Sequence, residues 1–175
     1  MKIRESKLNG LKIIEPNLPF EDFRGKYLQT YDRHFLEVND IEIEFVEEDV
    51  VLSYKNVLRG IHGDKKTWKL VTCLFGKVYA AVVNNDPVSE QYKNWDSFEL
   101  SDENHLQLLI PPMFGNSYLT LSDISLYAYK QSTYYDRRSQ FTLAWNDPEV
   151  GIRWPIKEPI LSKRDEILVS GSSRN

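Results

Sequence analysis

The sequence predicts an all-β sandwich or barrel. Three observations carry that expectation. Short apolar stretches recur about every ten residues, and Gly, Pro, Asn or Asp separates them. No long stretch with a 3.6-residue period breaks the series before the C-terminus. In order, LKIIEP (11–16) reads as a short strand closed by Pro16. Gly25 interrupts FEDFRGKYLQTY ahead of an alternating strand over Lys26–Tyr31. Asp32–Glu37 suits one helical turn, and IEFV (43–46) suits another short strand. Glu44, Glu47, Glu48 and Asp49 cluster before the strand VVLSY (50–54) and read by composition as a solvated loop. Lys69–Phe75 and Lys77–Asn84 read as a hairpin around Gly76, followed by a polar loop over Asn84–Asn94. Trp95–Leu100 and Leu106–Ile110 are further strands, the second stopped by Pro111-Pro112. Gly115-Asn116-Ser117 reads as a turn into YLTL, and ISLYAYKQS and FTLAW continue the pattern. Ser162-Lys163-Arg164-Asp165 matches a capping box opening a last short helix, and Gly171–Asn175 reads as a frayed tail. Without repeat or linker, residues 1–175 are expected to form one domain.

Composition narrows the function classes. A net charge of −4 argues against nucleic acid or an anionic membrane as the main partner. Ten Tyr and four Trp suit a surface that stacks flat rings. Cys73 is the only cysteine, so no disulfide can form within the chain, and KLVTCLF places it as a buried strand thiol. MKIRESKLNGLKII lacks the apolar run of a signal peptide, and no stretch approaches the roughly 20 apolar residues of a membrane span. The expected compartment is the cytoplasm.

The chemistry centres on Val57–Val71, VLRGIHGDKKTWKLV. Arg59 and Lys69 are cations suited to a phosphate or a developing oxyanion, and histidine exchanges protons near neutral pH, which makes His62 a candidate base. The same stretch also reads as a plain hairpin with solvated charges. A histidine-based metal centre is disfavoured, because His62 has no histidine two residues away and His34 and His105 sit in polar, loop-like contexts. No G-x-S-x-G elbow marks a serine hydrolase. What remains is acid–base chemistry. Strand alternation puts Tyr127 and Tyr129 on one face, as candidate acids or as packing residues.

The motifs FEDFRGKY, VLRGIH, the KLV of TWKLV, GKVYAAVV, LSDENHLQLLIPP, YKQSTYY, WNDPEVGIRWP and LSKRD, in this order, resemble the dTDP-4-dehydrorhamnose 3,5-epimerase family from about Gly10 to Asp165. That resemblance implies a cupin double-stranded β-helix (jelly roll) with short peripheral helices, no metal and no cofactor. It also implies a homodimer that exchanges its N-terminal strand, and a nucleotide-diphospho-4-keto sugar as substrate. By position, His62 matches the base, Tyr129 the acid on the opposite face of the sugar, Asp165 the carboxylate that orients the base, and Lys69 the lysine near the sugar carbonyl. Arg59 and Arg24 match diphosphate-binding arginines, Arg24 reaching into the neighbouring subunit's site. Tyr135 matches an aromatic that stacks on the base, and Arg164 a basic nucleotide contact.

Departures fall at positions that line the sugar and nucleotide pockets. Glu47, Asp49 and Val51 stand where the family has Gln, Asn and Ser, and Asn116-Ser117-Tyr118 replaces an HGF turn. GDKKTW lacks the family's Gln before the lysine, Gln29 and Gln140 replace Glu, and Arg137 stands at a common Pro. They imply a sugar other than dTDP-4-keto-6-deoxyglucose, with a GDP-linked 4-keto heptose among the expectations. Carbon 3 is expected to invert, and carbon 5 is left open. A 3,4-ketoisomerase and a catalytically inactive nucleotide-sugar-binding cupin are the alternatives.

Overall fold

The computed structural model describes residues 1–17 and 19–166. The strands are β1 (Lys2–Glu5), β2 (Lys12–Glu15), β3 (Phe20–Asp22), β4 (Gly25–Tyr27), β5 (Glu47–Tyr54), β6 (Leu58–Gly63) and β7 (Lys69–Phe75). They continue as β8 (Lys77–Asn84), β9 (Trp95–Ser101), β10 (Gln107–Ile110), β11 (Phe114–Thr120), β12 (Ile124–Gln131) and β13 (Phe141–Thr142). One sheet has the order β1-β2-β10-β7-β12-β5, a second β13-β6-β11-β8-β9, and β3-β4 form a separate hairpin. Neighbouring strands in both sheets run antiparallel. The all-β cupin jelly roll expected from the sequence is therefore present. Among the described residues no helix is long and apolar enough to cross a membrane.

The main core brings together Leu8, Ile13, Val71, Cys73, Val78, Val82, Leu108, Phe114 and Tyr127. Strand β8 is buried on both faces: Val78, Ala80 and Val82 join this cluster, whereas Val83 packs with Ile61 and Val150 on the other side. Double burial explains why KVYAAVVN reads as a continuous apolar run. Cys73 is indeed a buried strand thiol, and burial pushes its pKa up to about 12.

Several local expectations change. Strands β7 and β8 do not form a hairpin: β7 pairs with β10 and β12, β8 with β11 and β9. The Gly76 turn carries the chain from one sheet to the other. The Val57–Val71 stretch is not a hairpin either, since β6 and β7 lie in different sheets. Alternation reports that a segment is a strand but not which strand it pairs with. IEFV is not a strand; pairing begins at Val46, whose N–H donates to Gln131 O at 2.8 Å. Glu47–Asp49 are not a loop but the start of β5, whose alternation is inverted: Glu47, Asp49, Val51 and Ser53 are the more covered set, while Val50, Leu52 and Tyr54 are exposed. Gly115-Asn116-Ser117 is not a turn but part of β11, paired with Val83, Val82 and Ala81. The strand expected over Lys26–Tyr31 is confined to β4, only the first two residues of FTLAW are strand, and β1 was not anticipated.

Two short helical expectations hold. Asp32 caps α1 (Arg33–Glu37) by accepting from Phe35 N. Residues 163–166 are helical, and Ser162 Oγ accepts from Asp165 N–H as an N-cap does, while the Asp165 carboxylate accepts from the Ser162 hydroxyl rather than from its backbone N–H. The tail at Gly171–Asn175 lies outside the described residues.

Candidate active site

Between the two sheets opens a cleft of about 1030 Å³, large enough for a nucleotide-sized ligand. Its lining holds His62, Tyr129, Asp165, Lys69, Arg59, Glu47, Asp49, Asn116, Tyr135, Gln140 and Arg164. These come from β5, β6, β7, β11, β12 and the segments after β12. Arg24 and Gln29 are exposed and do not line this chain's cleft. Arg24 sits at the β3–β4 turn, where its guanidinium donates to both Asp22 carboxylate oxygens.

Strand β6 supplies Arg59 and His62, and it fits between β11 and β13 only because glycines flank them. A Cβ at Gly60 would lie 2.5 Å from Ser117 Cβ, and one at Gly63 would lie 2.2 Å from Phe114 O. The glycines of VLRGIHG therefore reflect close strand approach. His62 Nε2 and Asp165 Oδ1 are 2.9 Å apart. A carboxylate at Nε2 makes that nitrogen the donor and leaves Nδ1 as the basic one. Burial alone would raise the Asp165 carboxyl, but hydrogen bonds from His62 and Ser162 outweigh it and hold the group below the usual carboxylate range. Arg59 Nε donates to Ser53 Oγ at 3.0 Å, and Ser53 in turn is hydrogen-bonded to the Tyr118 hydroxyl at 3.1 Å. The Arg164 guanidinium donates to Thr142.

The six-stranded sheet supplies the other wall. Lys69, only 8% exposed, stands opposite Gln131 in the β7–β12 ladder. Burial draws its ammonium below the usual lysine range; the Asp64 charge opposes that shift and the Arg164 charge adds to it. Asp64 is itself anchored: Oδ1 accepts from Lys66 N and Thr67 N, and Oδ2 accepts from Gln140 at 2.8 Å. Tyr129 stands opposite Asp49 in the β12–β5 ladder. Burial first, then the Asp49 charge, push its phenol up to about 12. Tyr127 is fully buried, stacked on Tyr118 with ring centres 4.0 Å apart, and donates to Asn116 Oδ1 at 3.3 Å.

Sequence reasoning missed several supporting groups. Gln131 follows Tyr129 by two residues, so alternation alone could have placed it on the same face. Asp64 lay inside the central stretch but gave no sign of its burial. Ser53 and Thr142 carry no sequence signal, since small hydroxyl residues occur throughout the chain.

A family model described as dTDP-4-dehydrorhamnose 3,5-epimerase matches residues 5–170. The enzyme of that name from Salmonella typhimurium is 35% identical over 170 residues, covering 94% of this chain and 92% of its own. A dTDP-4-dehydrorhamnose 3-epimerase from Streptomyces niveus is 30% identical over 171 residues, covering 95% of this chain and 82% of its own. The crystal structure of the Legionella pneumophila dTDP-6-deoxy-D-glucose-3,5-epimerase in complex with dTDP-4-keto-L-rhamnose has a TM-score of 0.89 at 33% identity. That likeness covers 95% of this chain and 90% of the Legionella chain. With fold and sequence matched over most of its length, the chain belongs to the dTDP-4-dehydrorhamnose 3,5-epimerase family and is an isomerase of nucleotide-linked sugars.

Proposed function

We propose that the cleft epimerises a nucleotide-diphospho-4-keto-6-deoxy sugar by acid–base chemistry that needs no metal. The observation that carries this reading is the opposition of His62, on the five-stranded sheet and bonded to Asp165 of the C-terminal turn, and Tyr129 on the six-stranded sheet, with Lys69 on the same wall as Tyr129. A proton beside a ketone is too weak an acid for imidazole unless the enolate oxygen meets prearranged positive charge. Lys69 supplies that charge in a mostly buried setting, and Asn116 adds a polar group. His62 removes the proton from one face of the ring, Asp165 stabilises the resulting imidazolium, and Tyr129 returns a proton to the other face, which inverts the carbon. Arg59 binds the diphosphate, while Tyr135 and Arg164 hold the nucleotide at the open end. Glu47, Asp49, Asn116 and Gln140 face the sugar.

The active form is a homodimer with its N-terminal strand exchanged, in which Arg24 and Gln29 complete the partner's cleft. Both residues lie outside their own cleft, and β5 turns Val50, Leu52 and Tyr54 outward, an apolar edge suited to a second copy. A nucleotide-sugar substrate fits a cytoplasmic enzyme serving surface polysaccharide synthesis. Carbon 3 is the inverted position; carbon 5 would require the ring to shift while the diphosphate stays clamped. The relatives leave carbon 5 open, since the 35% identical Salmonella typhimurium enzyme is described as a 3,5-epimerase and the 30% identical Streptomyces niveus enzyme as a 3-epimerase. The test is proton NMR in heavy water with dTDP- and GDP-linked 4-keto-6-deoxyhexoses and a GDP-linked 4-keto-6-deoxyheptose, following carbons 3 and 5 separately. Deuterium entry with inversion at carbon 3 is expected. Migration of the keto group would make the chain a 3,4-ketoisomerase, and binding without exchange would make it a scaffold.

A further inference from the structure

On the wall opposite His62, β5 and β12 bring two acidic side chains beside the phenol assigned above as the acid. Asp49 is directly across from Tyr129, and Glu47 is directly across from Gln131. Strand alternation puts all four side chains on one face, and all four line the cleft. The Gln131 amide nitrogen lies 2.9 Å from Glu47 Oε1 and 3.4 Å from Asp49 Oδ2, so one donor sits between two carboxyls. Tyr135 N–H also points at the Glu47 carboxyl, at 3.3 Å from Oε1.

We propose that Glu47 and Asp49 hold one proton between them and pass it to Tyr129 after that phenol has protonated the sugar carbon. The proposal rests on the reading of Tyr129 as the acid. Two carboxylates side by side in a partly desolvated wall do not both ionise readily. The neighbouring cation on β12, Lys130, points away and pairs with Glu48 at 2.6 Å. On the same wall Lys69 stands opposite Gln131, on the far side of β12 from Glu47, and the cleft lining also holds Arg59, His62, Arg137, Lys163, Arg164 and Asp165, but the groups that act most on Asp49 are Glu47 and Tyr129. Burial and the Glu47 charge raise the Asp49 carboxyl above its ordinary range, the Tyr129 hydrogen bond opposing them.

The steps balance as proton transfers alone. The Tyr129 O–H bond breaks as a C–H bond forms on the enolate carbon, leaving a phenolate next to Asp49. That phenolate takes the shared proton, whose bonding electrons stay on the carboxyl oxygen; the imidazolium of His62 then yields its proton to water, and the pair takes one back from solvent. Without this supply, a phenolate would face the Asp49 carboxylate with no proton between them.

Two measurements test the proposal. The first needs no substrate: carbon-13 NMR of labelled Asp and Glu carboxyls in the full chain. The Asp49 signal should titrate above the ordinary carboxylate range and move back towards it in Glu47→Gln. A signal that titrates normally and ignores Glu47 overturns the shared proton. The second follows dTDP- and GDP-linked 4-keto-6-deoxyhexoses in heavy water across pH. In the wild type, inversion should fall as the pair ionises while His62-driven exchange continues. In Asp49→Asn, inversion should drop about 10–100-fold more than exchange, and that alkaline limb should disappear. Equal loss of exchange and inversion, or an unchanged pH limb, overturns the relay while leaving the epimerase intact. A wild type that neither exchanges nor inverts any of these sugars overturns the epimerase reading and the relay together.

Discussion

The two walls of the cleft treat charge in opposite ways. On the five-stranded sheet and its adjoining C-terminal turn, Asp165 accepts from His62 and Ser162, so its carboxyl stays ionised although only 3% exposed. On the six-stranded sheet, Asp49 sits beside Glu47 and Tyr129, and burial together with neighbouring negative charge raises the pKa of both Asp49 and Tyr129. One wall therefore holds a negative charge that fixes the tautomer and orientation of a neighbouring imidazole. The other disfavours added negative charge. The lesson is that the neighbours the fold supplies, not residue type, decide what an aspartate does: one faces donors and the other an acid and a second carboxyl.

The most severe way to break this contrast is to remove the base. His62→Asn should abolish both inversion and deuterium uptake, by about 10⁴-fold or more, read by NMR in heavy water. Persisting exchange at the wild-type rate would move the base elsewhere. Next comes the acid wall. Tyr129→Phe should lower inversion by about 10²–10³-fold while exchange continues with retained configuration, because His62 returns the proton to the face it came from.

Two smaller effects read the walls through stability. Asp165→Asn should cost about 1–3 kcal/mol at neutral pH, as a buried charged hydrogen-bond partner is lost. The folded pKa of Asp165 is depressed, so its contribution is full above the unfolded value, about 3.9, and fades as pH falls through the lower folded value. Urea denaturation across acid pH should show the gap between wild type and variant closing there. Asp49→Asn should act in reverse. Its folded pKa is raised, so its stabilising contribution exists at low pH and is lost as pH climbs through the folded value. The variant should melt about 1–3 °C higher near neutral pH, with the advantage gone below about pH 4. A lower melting temperature at neutral pH would show that Asp49 is stabilised by its neighbours rather than strained by them.

How far the sequence revealed all this depends on the kind of information required. Strand identity was legible for β7, β8, β9 and β12, where apolar residues run unbroken or alternate. Partnership was not: the glycines and the short link in GDKKTW look the same whether the chain folds back on itself or crosses to the facing sheet. Glu47 and Asp49 were misread as loop by composition because β5 puts its carboxyls inward and its Val50, Leu52 and Tyr54 outward, the reverse of the usual pattern. The cleft residues were found because several spaced motifs resemble one family. Asp64, buried and bonded to Gln140, left no such trace.

The crossing at 64–68 carries a further consequence. His62 and Lys69 belong to opposite walls yet are joined by a single short tether, stiffened where Asp64 gathers the N–H groups of Lys66 and Thr67. Covalent geometry thus acts as a gauge on the width of the slot at its chemical end. Side-chain exchanges along the walls can alter which functional groups a guest must present, but its thickness is metered by the backbone.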